Sequence, residues 1–384
     1  EADPRLGVKP QTREITFGGA EQLCEFEVDV PATTEPGRYT FHMLLRDGGR
    51  DLGVAGGAVE TVSPVQILDI LPAEVGGQAR GLALLLKDRR GSGISGTVAV
   101  ELEGVAGAKA SSEFRLEASK TSRVVVDLGK LDLSPARIVD VATTIKTSDG
   151  YVATEKARAN FLLATRRKTA PIVDGDLADW ADVPSFELRG KEMVNRSPEH
   201  YTGDADQAVK VQYAWDDKAL YMAFTVADDV HIQPTKDVNT WRFDCVQAAF
   251  AMNPKKQGKV TGNLLDDVGT QRHTEINFSL TSGGVEAYRS ITHDEERLPS
   301  GPVAAGRIQQ AVVRTGTQTV YEIAIPWSEL GALQAPRAGD VFGLAAAFND
   351  ADSPDQRDPS ALGLFGGIAP AKDPGKFGLL LLGS

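Results

Sequence analysis

The stretch Val209-Lys-Val-Gln-Tyr-Ala-Trp215, followed after a short break by Ala219-Leu-Tyr-Met-Ala-Phe-Thr-Val226, has the pattern of two short strands. Both runs are rich in aromatic and β-branched residues, and two aspartates lie in the break between them. Comparable runs continue towards the end of the chain; they are Cys245–Ala251, Thr274–Leu280, Ile308–Arg314, Thr319–Ile325 and Val341–Phe348. Eight or more antiparallel strands with long loops predict a jelly-roll-like β-sandwich over residues 169–384.

A second β-rich unit precedes this one and occupies residues 64–165. It begins at Val65-Gln-Ile-Leu-Asp-Ile70, and the spacing of its glycine-rich turns is typical of an immunoglobulin-like sandwich. Residues 1–63 contain the alternating run Cys24-Glu-Phe-Glu-Val-Asp-Val30 and predict a small immunoglobulin-like sandwich, complete or partial. We therefore expect an all-β chain, with two immunoglobulin-like β-sandwiches followed by a larger jelly-roll-like β-sandwich.

The composition excludes several classes of partner. The chain of 384 residues carries 53 acidic and 41 basic residues, a formal net charge of −12, and it lacks the basic, aromatic-rich face that nucleic acid requires. No run approaches the roughly 18 consecutive apolar residues of a membrane helix, so no membrane span is expected. The sequence begins with neither a signal peptide nor a methionine, and we expect a mature portion or a fragment of a longer protein.

Motifs of the common catalytic and cofactor sites are missing. The sequence has no Gly-x-Gly-x-x-Gly that leads from a strand into a helix, no phosphate-binding Gly-x-x-x-x-Gly-Lys and no Gly-x-Ser-x-Gly, so no nucleotide cofactor is expected. The five histidines never stand at the i, i+4 spacing of a helical metal site, and two cysteines cannot build a zinc site alone. These absences favour a non-catalytic protein, although paired carboxylates in an acidic β protein leave a glycoside hydrolase open.

All four tryptophans of the chain lie in the last unit; they are Trp180, Trp215, Trp241 and Trp327. Sugars present C–H faces and hydroxyl edges, so a sugar-binding site needs a flat aromatic for the first and planar polar groups for the second. Trp241-Arg-Phe-Asp-Cys-Val-Gln247 offers both, because Asp244 and Gln247 follow the tryptophan on a predicted strand. The alternative is that Trp241 closes the end of the sandwich. The other three tryptophans lie in apolar patterns and are expected in the core.

Pro171-Ile-Val-Asp-Gly-Asp-Leu-Ala-Asp-Trp180 resembles the opening of family-9-like carbohydrate-binding modules, which read roughly I-D-G-x-L-x-x-W at this point. Further motifs follow in the order of that family; they are Ala214–Asp217 with Leu220-Tyr221, Val226–Asp229, Trp241–Gln247, Tyr321–Trp327, Gly339–Gly343, Phe348–Asp352 and Phe377–Leu381. The order of the motifs, over a little more than half of the chain, makes the resemblance specific. It implies a β-sandwich related to DOMON domains.

The resemblance also implies a set of sugar-binding residues. In sugar-binding members of the family, aromatics hold a sugar at a chain end while polar side chains hold its hydroxyls. Trp241 resembles the first aromatic, and Asp244 and Gln247 resemble the polar contacts that follow it. The late loops and one further strand would supply the remaining contacts; these are Asn349, Arg357, the second aromatic Phe365 and, as an additional partner, Arg272.

Structural calcium is a further implication of the resemblance, because some members of the family hold this ion. Calcium takes roughly six to eight oxygen ligands, which Asp-rich loops often supply. The candidate ligands are Asp174 and Asp176 at the start of the unit, and Asp350 and Asp352 beside Asn349 near its end. The alternative is that these residues stabilise turns through contacts with their own backbone.

We thus expect a non-catalytic carbohydrate-binding unit of a secreted polysaccharide-active protein, which binds a poly- or oligosaccharide by aromatic stacking and hydrogen bonds. The expected location is secreted, cell-surface or periplasmic in a bacterial-type protein, with a covalently linked catalytic domain upstream. A different possibility is a haem-binding DOMON-type electron-transfer domain, with axial ligands among Met193, Met222, Met252, His231 and His273. Haem is disfavoured, since Met222 has the pattern of a core residue. A glycoside hydrolase and a structural module without ligand also stay open, because a fold does not determine its function.

Overall fold

A computed structural model describes residues 4, 6–9, 12–16, 23–31, 33–252, 273–332, 334–356 and 358–384. Within these ranges the chain is almost entirely β-structure, as predicted. The strands are β1 (Gly7–Lys9), β2 (Glu27–Asp29), β3 (Gly37–Asp47), β4 (Arg50–Thr61), β5 (Val65–Val75), β6 (Gln78–Asp88), β7 (Ile94–Leu102), β8 (Lys109–Leu116), β9 (Thr121–Asp127), β10 (Val139–Thr147), β11 (Val152–Ala159), β12 (Leu162–Arg166), β13 (Ser185–Leu188), β14 (Val194–Arg196), β15 (Gln207–Trp215), β16 (Ala219–Asp228), β17 (Cys245–Ala251), β18 (Thr274–Thr281), β19 (Gly284–Ile291), β20 (Gly301–Pro302), β21 (Gln309–Thr315), β22 (Gln318–Pro326), β23 (Val341–Asp350), β24 (Ser360–Leu364) and β25 (Gly378–Leu382). Short 3₁₀-helices cover Leu177–Trp180, Lys191–Met193, Asp237–Arg242, Trp327–Leu330 and Pro374–Lys376. None of the helices in the described ranges has the length and apolar character to cross a membrane.

The described residues before position 63 form two small antiparallel sheets. β1 pairs with β2, and β3 pairs with β4 in a long hairpin. The hairpin turns at Gly48 and Gly49, whose φ angles of 52° and 84° are those that a tight two-residue turn requires. The sandwich predicted for residues 1–63 stays a prediction, because a hairpin of this kind supplies one layer and not two.

Residues 65–161 form a two-layer sandwich. One layer has the strand order β5-β6-β9 and the other has the order β11-β10-β7-β8. The two layers enclose an apolar core that includes Leu84, Val98, Val126 and Val141. The strands alternate between this core and solvent, and their order is typical of an immunoglobulin-like sandwich.

The remaining strands form one curled sheet that folds into two facing layers joined by β12. The first layer has the order β20-β19-β18-β17-β23-β25-β12, with β24 beside β23 and β14 beside β24. The second layer has the order β12-β15-β16-β22-β21, with β13 beside β15. The core between them contains edge-to-face aromatic pairs such as Phe224–Phe348 and Trp327–Phe342. The predicted β-sandwich is confirmed.

β12 belongs to this last sheet, although in the sequence it stands at the end of the second predicted unit. Leu162–Ala164 pair in parallel with Leu380–Leu382. Just before β12, the side-chain amide of Asn160 donates to the carbonyl of Leu379 at 2.8 Å and accepts from its N–H at 2.8 Å. Asn160 therefore imitates a neighbouring strand and extends the pairing of β25 by one residue.

A buried carboxylate fixes the first turn of the last sandwich by hydrogen bonds. Glu322 on β22 has no solvent exposure, and it accepts hydrogen bonds from Nε1 of Trp180 at 2.8 Å and from the N–H groups of Asp174 and Gly175 at 3.0 and 2.9 Å. Trp180, like the other two tryptophans predicted for the core, is at most 4% exposed. Three donors thus converge on one side chain, and the Asp-Gly turn is held against the second layer.

Candidate functional site

Trp241 lies in the 3₁₀-helix Asp237–Arg242, between β16 and β17. The turn is fixed by Gln233, whose side-chain amide donates to the carbonyls of Thr240 and Asp244 at 2.9 Å each. Thr240 is buried, whereas the neighbouring indole is partly exposed. Since the other three tryptophans are at most 4% exposed, Trp241 is the tryptophan that a ligand in solution can reach.

A group of polar side chains lies on one face of the first layer, close to this turn. We call it the polar face, and it consists of Gln247 on β17, Glu275 and Asn277 on β18, Ser290 on β19 and Asn349 on β23. Asn349 Nδ2 donates to Gln247 Oε1 at 3.0 Å. Gln247 Nε2 donates to Glu275 Oε1 at 3.0 Å and to Asn277 Oδ1 at 3.4 Å. The group assembles because residues directly opposite on antiparallel strands, such as Gln247 and Asn277, share a face of the sheet.

A partly exposed lysine next to the polar face forms an ion pair with the buried carboxylate of Glu275. Glu275 is 1% exposed, and each of its carboxylate oxygens accepts from Nζ of Lys372 at 2.7 Å. Ser290 Oγ donates to the same carboxylate at 3.0 Å. An unpaired charge in this position would cost several kcal/mol of desolvation, so the ammonium group makes the buried carboxylate tolerable. The pair presents a fixed acceptor and a fixed donor next to the amides.

Arg196 on β14 connects the tryptophan to the polar face. Its guanidinium carbon lies 5.1 Å from the centroid of the Trp241 ring, and its Nη1 donates to Oδ1 of Asn349 at 3.2 Å. Arg242, which is exposed, approaches the same ring to 5.5 Å. Burial lowers the pKa of the Arg196 guanidinium, and anionic groups at longer range oppose this effect. Both guanidinium groups thus lie within cation–π distance of one indole.

The space between β14 and β24 depends on a glycine. A Cβ at Gly363 would collide with the side-chain amide of Asn195, so a residue with a side chain does not fit there without displacing it. The Oδ1 of Asn195 is buried and has no hydrogen-bond partner among the described residues. Buried acceptors are usually paired, so this one is available to a donor from a ligand.

Three of the predicted ligand residues are brought together by the structure. Gln247 and Asn349 contact each other directly, and Trp241 lies next to them across one guanidinium group. Arg272 and Arg357, which the resemblance also implied, lie outside the described residues.

Two further predicted ligand residues lie away from the polar face. Asp244 is 3% exposed, and its carboxylate accepts from backbone N–H groups of two loops at the end of the sandwich. It stands one position before Cys245, whose side chain does meet the polar face, and successive residues of a strand point to opposite sides. Phe365 is 9% exposed and belongs to the hydrophobic core, with its ring against Gly378. The second aromatic surface expected at Phe365 is therefore not presented to solvent.

A separate, acidic cluster lies where β15, β16 and β23 meet at one end of the sandwich. The carboxylate oxygens of Asp206, Asp229 and Asp352 lie within 4.8 Å of one another. Burial raises the pKa of the neighbouring Asp350 to about 8, and repulsion from the surrounding aspartates adds to the effect. Its Oδ1 is buried without a partner among the described residues. Oxygen donors around an unpaired buried carboxylate oxygen fit a calcium ion, so the predicted ligands Asp350 and Asp352 lie in a suitable donor set.

Beside it lies a second group, formed by Asp228, His231 and Asp244. This group already has a cation, because Nη1 of Arg314 donates to Oδ2 of Asp228 at 2.7 Å and Nη2 donates to its carbonyl at 2.9 Å. Burial raises the pKa of Asp244 well above its ordinary value, and the charges of the nearby aspartates raise it further. The guanidinium group of Arg314 thus neutralises part of the negative charge of these aspartates.

Asp174 and Asp176, the other predicted calcium ligands, belong to neither of these groups. The Oδ1 of Asp174 accepts from the N–H of Asp176 at 2.9 Å, and Oδ1 of Asp176 accepts from the N–H of Ala178 at 3.0 Å. These are the contacts of turn and helix-capping residues, in which an aspartate satisfies its own backbone.

The residues of the site that were not identified from the sequence are Asn195, Arg196, Arg242, Glu275, Asn277, Ser290 and Lys372. A signal for two of them existed in Thr274-Glu-Ile-Asn-Phe-Ser-Leu280, where a polar residue at every second position alternates with an apolar one. One face of this strand packs in the core and the other carries the polar groups. The whole arrangement combines an accessible indole with amide, carboxylate, ammonium and guanidinium groups, which are the groups that recognise sugar hydroxyls.

Residues 174–383 match the model of the family described as carbohydrate family 9 binding domain-like. Among solved structures, a family 9 carbohydrate-binding module from Caldicellulosiruptor kristjanssonii in complex with cellotriose is 17% identical, with a TM-score of 0.41; the match covers 58% of this chain and 93% of that chain. A family 9 module from the same organism in complex with glucose is 19% identical, with a TM-score of 0.38; the match covers 58% of this chain and 96% of that chain. No curated protein matches the sequence.

Proposed function

The chain belongs to the carbohydrate family 9 binding domain-like family, and from this premise we propose that Trp241 and the polar face bind an oligosaccharide. The observation that carries the proposal is the contact of a partly exposed indole, through Arg196, with the hydrogen-bonded amides of the polar face. A pyranose has an apolar C–H face for the indole and hydroxyl edges for the amides, so one ring can satisfy both.

The proposed mode of binding is stacking of one sugar ring on the indole of Trp241. Arg242 is exposed and makes no hydrogen bond among the described residues, so its side chain can move off the ring to admit a sugar. The sugar hydroxyls then donate to the carboxylate of Glu275 and to the unpaired Oδ1 of Asn195. Hydrogen bonds to a charged acceptor contribute about 1.5–3 kcal/mol each, which gives Glu275 the larger effect.

The biological setting that we propose is a non-catalytic unit of a secreted polysaccharide-active protein, with a linked catalytic domain elsewhere in the polypeptide. Its location would be the cell surface, the periplasm or the medium. The support is the resemblance to family-9-like modules, and the immunoglobulin-like sandwich of residues 65–161, which would act as a spacer.

Titration calorimetry with a panel of neutral oligosaccharides, such as cello-, xylo- and manno-oligosaccharides, tests the function. We expect at least one to bind, and Trp241→Ala to weaken that binding about tenfold or more. Val238→Ala is a matched control, because Val238 lies in the same 3₁₀-helix and is 50% exposed. Binding that survives Trp241→Ala unchanged would disprove the role of the indole, and a panel without any binding would disprove the function.

We also propose that Asp206, Asp229 and Asp352, with Asp350 beside them, hold a structural calcium ion. The ion would neutralise carboxylates whose charges repel one another at the end of the sandwich. Calcium alone, titrated into chelator-treated protein, should bind and raise the melting temperature, and Asp352→Asn should weaken the effect. Asp176→Asn serves as the control, because Asp176 caps a helix away from the cluster. Equal responses of the two variants would contradict this assignment.

A further inference from the structure

Two guanidinium groups lie at Trp241 without an ion-pair contact among the described residues, and carboxylates act on Arg196 only at longer range. Arg196 and Arg242 lie 5.1 and 5.5 Å from the centroid of the indole, and neither has a carboxylate oxygen within 4.0 Å among the described residues. Within that same part of the chain, the side-chain hydrogen bond of Arg196 goes to the neutral amide of Asn349. Two guanidinium groups therefore lie at one aromatic ring, and no described carboxylate forms an ion pair with either of them.

Other basic side chains of the same sandwich form ion pairs with carboxylates. Arg289 donates to the buried Glu329 at 2.7 Å, and Arg314 donates to the buried Asp228 at 2.7 Å. Lys372, next to the polar face, is paired with Glu275. In a chain with a net charge of −12, carboxylates are plentiful, yet among the described residues none forms an ion pair with Arg196 or Arg242.

The pair Glu275–Lys372 shows that the polar face is already neutral. The carboxylate of Glu275 is paired with the ammonium group of Lys372 at 2.7 Å, so it acts on Arg196 only at longer range. Burial lowers the pKa of Arg196, which means that its desolvated charge is costly in the free protein. A ligand anion would remove that cost.

The chemistry of the missing partner follows from the geometry. A guanidinium group presents its N–H donors in a planar fork that matches a carboxylate with two parallel hydrogen bonds. A pyranose that replaces Arg242 on the indole, and that carries a carboxylate on its ring, would place this anion within reach of the displaced guanidinium group. Uronic acids are the sugars that have this combination of a C–H face and a ring carboxylate.

We propose that the Trp241 site prefers an acidic saccharide, in which Arg196 and Arg242 bind the carboxylate of a uronic acid residue. The proposal rests on the proposed sugar-binding function and specifies its ligand class. The two arginines act as the specificity residues, and the polar face binds the hydroxyl groups that acidic and neutral sugars share.

The experiment compares matched ligands by calorimetry: an oligomer of galacturonic acid, the same oligomer after reduction of its carboxyl groups, and a sulfated form of the neutral oligomer. We expect the uronate to bind about tenfold more tightly than the reduced oligomer, and this ratio to fall as salt is raised. Arg196→Gln and Arg242→Gln should each bring the ratio towards one. Arg189→Gln is the control, because Arg189 is exposed and paired with Glu187 at 2.8 Å, and it should keep the ratio.

Several outcomes would overturn the proposal and leave the sugar-binding function standing. One is a reduced oligomer that binds as tightly as the uronate. Another is a sulfated oligomer that binds more tightly than the uronate, since this would assign the arginines to sulfate. A third is an unchanged ratio in both arginine variants. Failure of every acidic and neutral oligosaccharide to bind would instead refute the function itself, so the two failures are distinguishable.

Discussion

The side-chain amide of Asn349 donates a hydrogen bond of 3.0 Å to the side-chain carbonyl of Gln247, and this bond joins β23 to β17 across the polar face. The side-chain amide of Gln247 in turn donates hydrogen bonds to Glu275 and Asn277 on β18. The amide of one glutamine thus orders side chains from three strands, and each partner is at most 4% exposed. A ligand that meets one of these groups meets a network that is already in place.

Gln247→Ala should therefore weaken both the site and the fold. The substitution leaves a donor of Asn349 and acceptors of β18 without partners, at about 1–3 kcal/mol for a buried unsatisfied group. We expect urea unfolding to show a loss in this range, and calorimetry to show a loss of oligosaccharide affinity of about tenfold. Gln78→Ala is the matched control, because Gln78 is exposed at the start of β6. Full affinity in Gln247→Ala would contradict the polar face as a binding surface.

Glu322→Ala should destabilise the last sandwich without touching the polar face. It removes the acceptor for the indole N–H of Trp180 and for two backbone N–H groups, all of which become unpaired. A loss of about 3 kcal/mol in the free energy of unfolding is expected, measured from urea midpoints. Glu296→Ala, at an exposed position, should change this energy by less than about 0.5 kcal/mol. Equal stability of the two variants would show that the turn at Asp174 and Gly175 is held by other contacts.

The strands of the last sandwich were predictable because their apolar periodicity is strong. Cys245–Ala251 was predicted as a strand and is observed with the same bounds as β17. The hydrophobic pattern indicates that such a run is buried. A strand that is buried on both faces of a sheet can be recognised from its apolar residues alone. The sandwich class follows from many such runs.

The composition of the site was predictable only in part, because its residues meet through long-range pairing. Arg196 reaches Asn349 since β14 pairs with β24, which pairs with β23, and no local pattern reveals this. The position of Asp244 away from the polar face was not predictable, because a motif gives the order of residues but not the side of the pleat on which each lies. Phe365 follows β24 with a φ of 64°, and its ring belongs to the hydrophobic core, a burial that the motif alone does not reveal.

The stability of the protein should fall as the pH is lowered from about 6.5 to about 4. His273 has no solvent exposure, and both of its ring nitrogens lack a hydrogen-bond partner among the described residues. Burial, followed by the charges of Lys372 and His293, lowers the pKa of His273 from 6.5 to about 4. The fold favours the neutral ring, so this contribution is complete above pH 6.5 and is lost as the pH falls through the folded pKa. At about 1.4 kcal/mol per unit, the loss amounts to about 3 kcal/mol.

Urea unfolding at pH 7.5, 5.5 and 4.5 measures this loss, and the variant His273→Leu separates it from the titration of carboxylates. Leucine keeps a side chain of similar size and cannot be protonated, so the variant should lose less stability than the parent protein between these pH values. The control variant His42→Leu, at an exposed position on β3, should keep the full pH dependence of the unfolding free energy. Parallel pH profiles for the parent and His273→Leu would mean that His273 does not resist protonation in the fold.

Trp241 should dominate the quenching of intrinsic fluorescence, because Trp180, Trp215 and Trp327 are at most 4% exposed. Iodide should be a more effective quencher than neutral acrylamide, since the two guanidinium groups next to the indole attract an anion. We expect Trp241→Phe to remove more than half of the iodide quenching and a saturating oligosaccharide to protect the parent protein from it. An unaltered quenching slope in Trp241→Phe would place the accessible indole elsewhere, and the sugar-binding surface would then have to be sought away from the polar face.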